Sequence, residues 1–124
     1  MSYLQNRVKS FGYAFKGIAT LIRTQPHAKL HLLATVLVVG GGFLAEVTRM
    51  EWLALVLAMG LVWMAEGCNT AIEFLTDLAS PDFHPLAGKA KDVAAGAVLL
   101  AAIAAAIVAV IVFWPYVAQA AGIA

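Results

Sequence analysis

The 124-residue chain has one cysteine, Cys68. That excludes an internal disulfide and leaves no cysteine spacing that could hold a structural metal. Charge is scarce too: Asp, Glu, Lys and Arg make up only 12% of the residues, about half the share in soluble domains. The formal net charge is +1, so no basic excess points to nucleic acid and none is expected as a partner. The N-terminal stretch MSYLQNRVKSFGYAFKG has no continuous apolar core and no small-residue cleavage site. No removable signal peptide is expected from it. Gly40-Gly41-Gly42 has no lysine after it, so the phosphate loop of soluble nucleotide-binding proteins is missing. Close helix packing is the use expected of these glycines.

Apolar residues fill the space that charge leaves, at 63% of the chain. This composition reads as a small all-α integral membrane protein made of one domain. Leu4, Val8, Phe11, Phe15, Ile18 and Leu21 or Ile22 recur at steps of three and four, with Arg7, Lys9, Ser10 and Lys16 between them. That period predicts an amphipathic helix over residues 1–24, lying on a membrane surface by its basic polar face. Thr24-Gln25-Pro26 interrupts it, and proline suits the first turn of the next helix. Three membrane spans follow, at about 28–47, 51–79 and 92–114. The segment Asp82 to Lys91 reads as a polar loop, and Pro115 as the end of the third span.

Basic residues set the expected orientation. Arg7, Lys9, Lys16, Arg23 and Lys29 precede the first span, and Lys89 and Lys91 lie between the second and third. Only Arg49 lies between the first two. By the positive-inside rule the N-terminus and the second loop are cytoplasmic.

One stretch breaks the apolar pattern. Residues 52–65 carry no charge, and then Glu66, Asn69, Thr70, Glu73 and Asp77 arrive together in AEGCNTAIEFLTD. At about 100° per residue, Glu73 and Asp77 fall within roughly 20° of Glu66, and Asn69 and Thr70 within roughly 60°. All five share one helix face. Carboxylates in or near hydrocarbon are costly and mark a functional site by default. His84, Lys89, Lys91 and Asp92 follow close behind. Lysine can hold a phosphate as a point charge, and a carboxylate with substrate phosphates is the usual way to hold Mg²⁺. The set offers a base, a metal ligand and a phosphate clamp, which are the parts phosphoryl transfer requires. Blander readings stand beside these: Asp92 as a helix cap, Asp77 as a solvated helix-end acid, His84 as an ordinary loop residue. His27 and His31, four apart, could form a metal pair but lack a third ligand. Cys68 lies on the opposite side of the helix from Glu66, where packing is its expected role.

The run E-x-x-N-T-A-I-E-x-x-x-D, Glu66 to Asp77, resembles the signature of the prokaryotic diacylglycerol kinase family, which includes undecaprenol kinases. HPLAGKAKDVAAGAVLL, His84 to Leu100, resembles the family's loop and third helix, and SFGYAFKGI, Ser10 to Ile18, its surface helix. The resemblance implies a three-span homotrimeric enzyme of the bacterial cell membrane. It would transfer the γ-phosphate of MgATP to a lipid hydroxyl, either diacylglycerol or undecaprenol. It implies Glu66 as general base and Glu73 as metal ligand. Tyr13, Asn69, Asp77, Asp82, His84, Lys91 and Asp92 would form the nucleotide-binding set. Gln25 falls where many members carry a second metal-binding glutamate. Its neutral carbonyl is a weaker ligand, which bears on metal affinity and on the number of metals bound. Cys68 and Thr76 also depart from the usual residues, away from the proposed chemistry. Two rival classes remain open at this point: a proton- or ion-relay subunit using the same carboxylates, and a non-catalytic scaffold that leaves Glu66 unexplained.

Overall fold

The computed structural model describes residues 2–123, and every regular element among them is helical. Helix α1 spans Tyr3–Thr24, α2 Pro26–Leu44, α3 Arg49–Ala79 and α4 Pro85–Ala120. The first helix begins with reciprocal bonds: Ser2 Oγ accepts from the Gln5 N–H at 3.3 Å, and Gln5 Oε1 accepts from the Ser2 N–H at 3.0 Å. Two otherwise unpaired donors are satisfied in this way. Gln25 ends α1 in extended backbone, and Pro26 opens α2 directly. Proline has no N–H to lose at that position and a φ already suited to a helix.

Helices α2, α3 and α4 are each long and apolar enough to cross a membrane. With 31 and 36 residues, α3 and α4 are about 46 and 54 Å long. A hydrocarbon core is about 30 Å thick, so both reach well past it. The interface between α3 and α4 is the principal one; α2 lies on α3, and α1 touches both α2 and α3.

A small core near the α2–α3 turn holds the far end together. Val47, Leu55 and Val112 are buried there, flanked by Trp52, Phe113 and Tyr116. Glu46 takes the left-handed conformation (φ 51°) that reverses the chain. Thr48 and Glu51 repeat the reciprocal cap seen at Ser2. Glu51 Oε2 also accepts from the Tyr116 hydroxyl at 2.6 Å, which ties the start of α3 to the end of α4. Gly42 lies so close to Trp52 that a Cβ there would sit 2.5 Å from the indole ring. At least one of the three consecutive glycines is therefore a close-approach position.

The last helix differs from the sequence-based expectation at both ends. It starts at Pro85 rather than near Asp92, so Lys89, Lys91 and Asp92 stand on helix rather than in a loop. Pro85 occupies the first turn, and His84 Nδ1 accepts from the Leu86 N–H at 3.1 Å. His84 is thus the cap, and Asp92 lies about two turns inside. The connection from α3 shrinks to Ser80 through His84. At the other end α4 continues through Pro115 to Ala120. A single proline removes one backbone bond, a loss that membrane helices tolerate.

Candidate active site

The acidic stripe of α3 changes character along its length. Glu66 is 2% exposed, Asn69 and Thr70 are buried, Glu73 is half-buried and Asp77 is open to solvent. Glu73 lies seven positions after Glu66, a rise of about 10 Å, and Asp77 lies about 6 Å further on. One face therefore runs from a deeply placed carboxylate to an exposed one.

Each level of this face has its own partners. At the top, His31 of α2 brings Nε2 to 3.8 Å from Glu66 Oε2. The His31 ring meets the Trp63 indole edge-on, with centroids 6.5 Å apart. Trp63 Nε1–H donates to Thr35 Oγ1 at 3.0 Å, and the Thr35 hydroxyl donates to the His31 carbonyl at 2.8 Å. In the middle, the Asn69 amide nitrogen donates to Glu73 Oε1 at 3.3 Å. Asn69 Oδ1 and Thr70 Oγ1 are buried without a hydrogen-bond partner. At the exposed end, Lys91 of α4 pairs with Asp77 of α3. Asp77, Lys91, Asp82 and His84 share the wall of an open cavity of about 290 Å³.

A second cavity, of about 340 Å³, opens between α2, α3 and α4. Its walls are almost wholly apolar, and alanines on all three helices make the space. His31 and Thr35 are its polar residues. It extends along α3 from Val62 to Leu55, away from the exposed end of the stripe.

The Glu73 carboxylate and the unpartnered oxygen of Asn69, whose amide nitrogen is the atom that meets Glu73, are both hard oxygen donors. That donor type suits Mg²⁺, which usually takes one or two carboxylates and completes its shell with water and substrate phosphates. Among the described residues no three His, Cys, Asp or Glu side chains come together as a metal cage.

The other expected site residues lie apart in the single chain. Tyr13 is exposed on α1, with Lys16 Nζ 5.6 Å from its ring centroid. Gln25 stands at the α1–α2 junction with no cap bond from its side chain. Asp92 is exposed on α4. Of the two histidines considered as a metal pair, His27 stays exposed and only His31 turns toward α3. Cys68, expected to be packed, is exposed beside a groove between α1 and α3. Sequence reasoning missed the His31–Trp63–Thr35 group. Its one signal is that His31 and Thr35 are polar residues four apart in an otherwise apolar run.

Three helices long and apolar enough to cross a membrane, one of them carrying a graded acidic face, define a multi-pass membrane protein. The sequence model of the prokaryotic diacylglycerol kinase family matches residues 12–113. The chain is 40% identical to undecaprenol kinase of Bacillus subtilis (strain 168), over 86% of this chain and 87% of that one. It is 41% identical to diacylglycerol kinase of Synechocystis, over 83% of this chain and 59% of the relative. It is 30% identical to diacylglycerol kinase of Escherichia coli (strain K12), over 88% and 89%. The chain belongs to the prokaryotic diacylglycerol kinase family. It is a membrane lipid kinase, and it uses ATP.

Proposed function

We propose that the chain transfers the γ-phosphate of MgATP to the hydroxyl of a long-chain lipid alcohol, with Glu66 as general base. The lipid class includes undecaprenol and diacylglycerol, the alcohols in its relatives' names. The observation that carries this reading is the burial of Glu66 at the head of a polar face that descends to Lys91.

The lipid hydroxyl meets Glu66 in hydrocarbon surroundings, with its apolar chain in the alanine-lined cavity beside His31. As the hydroxyl oxygen attacks the γ-phosphorus, Glu66 takes its proton. The new O–P bond forms, the bond to the β–γ bridging oxygen breaks, and ADP leaves. General-base help of this kind contributes about 100- to 10,000-fold. Glu73 and Asn69 Oδ1 would hold Mg²⁺, with Gln25 as a weaker neutral contributor. When bound, Mg²⁺ supplies charge neutralisation to the phosphates. Lys91 supplies a further cation at the cytosolic end. Its exposed pair with Asp77 is of a kind worth little in water, so a phosphate can draw it away. Tyr13, Asp82, His84 and Asp92 complete the nucleotide site. The N-terminus and the α3–α4 turn face the cytoplasm, and the working unit is a homotrimer in a bacterial inner membrane.

The test is purified protein in detergent with labelled ATP, Mg²⁺ and a panel of lipid alcohols. Labelled lipid phosphate is expected, and the preferred alcohol names the substrate. ATP turnover with no lipid product, or no turnover at all, contradicts the reading.

A further inference from the structure

We infer that His31 is a positioning residue for the transfer, holding and orienting the Glu66 carboxylate through its imidazole Nε2. The inference rests on the reading of Glu66 as general base. Glu66 is 2% exposed, so water does little to fix its carboxylate, yet proton transfer requires a fixed geometry at the reacting oxygen. His31 is the group that meets Glu66 from the neighbouring helix, at 3.8 Å. That separation is long for a hydrogen bond, and catalytic hydrogen bonds in unliganded enzymes are often long and tighten with substrate.

The imidazole has Trp63 edge-on against it, and Trp63 is in turn bonded back to α2. Thr35, one turn further along α2, donates to the His31 carbonyl and accepts from the Trp63 indole N–H. Trp63 sits three residues before Glu66 on α3 and presses edge-on against the His31 ring. The same two helices that carry base and imidazole are therefore locked to each other beside the contact. His31 also lines the apolar cavity, so it stands between the lipid space and the base. A donor at Nε2 would occupy one carboxylate oxygen and leave the other for the lipid hydroxyl.

The test compares His31→Leu, His31→Gln and Glu66→Gln with wild type. The readouts are lipid phosphorylation, KM for ATP and thermal melting. His31→Leu is expected to lower kcat by about tenfold or more, as loss of a group acting on the base should. KM for ATP should stay within about twofold of wild type, because ATP is held elsewhere. His31→Gln keeps an N–H donor and should recover kcat to within about threefold. If His31→Leu fails to fold, His31→Phe keeps a ring against Trp63 without the donor and replaces it. Wild-type kcat in the Leu or Phe variant, or a Gln variant as impaired as Leu, overturns the inference. So does a loss that appears in KM for ATP. Wild-type turnover in Glu66→Gln removes the base reading itself and the inference with it. Impaired Glu66→Gln beside a normal His31→Leu overturns the inference alone.

Discussion

Glu73 and Asn69 show how much one side chain depends on its neighbour. The Asn69 amide nitrogen is committed to Glu73, which leaves its oxygen buried and unpaired. An unpaired buried acceptor is costly, and a hard cation would satisfy it. Glu73→Gln keeps the shape and removes the charge. The Mg²⁺ concentration for half-maximal activity is expected to rise, and an unchanged midpoint would remove Glu73 as ligand. At the other end of the stripe, Lys91 meets Asp77 while Lys89 is exposed on the same helix. Lys91→Met should impair turnover strongly and Lys89→Met weakly; equal losses would mean that general basicity serves the nucleotide. The alignment of Glu66, Glu73 and Asp77 was legible from spacing, because a helix repeats every 3.6 residues. His31 was not, because its partner lies on another helix. An apolar segment such as α2 carries little periodic signal of which face meets its neighbour.

At the scale of the element, α4 is the instructive case. Its basic and acidic residues suggested a loop up to Lys91, yet the helix begins at Pro85. Polarity there marks emergence from the bilayer rather than loss of helix, since a helix of about 54 Å outruns hydrocarbon of about 30 Å. The His84-Pro85 pair was the local signal of a start: a side-chain acceptor followed by a residue without an N–H. The amphipathic α1 was read correctly from its period, since a helix with one polar face repeats that pattern openly. Element packing yields its own prediction. Gly42→Val would drive its side chain into the Trp52 ring and should cost about 1–3 kcal/mol, the usual range for overpacking. Thermal unfolding in detergent measures this, and an unchanged melting temperature would mean that Trp52 is free to move. Tyr116→Phe removes the bond to Glu51 and should lower the melting temperature while leaving catalysis, at the opposite end of α3, unaltered.

The whole molecule is thin for its task. One 13.1 kDa chain leaves large apolar side chains of α1, α2 and α4 uncovered, among them Phe15, Leu37 and Ile107. Tyr13 on α1 and Asp92 on α4 are both exposed. A trimer would cover part of this surface and enclose a nucleotide that one chain cannot surround. Native mass spectrometry in mild detergent should show three copies, and a population of monomer alone would contradict the proposed assembly. The central claim is that a buried carboxylate drives lipid phosphorylation, and Glu66→Gln tests it most directly. Glutamine preserves size and hydrogen bonding but cannot accept the proton. Turnover of a lipid alcohol should fall about 100-fold or more, with ATP binding and melting temperature close to wild type. Turnover within about tenfold of wild type would contradict the account and pass the role of base to Asp77.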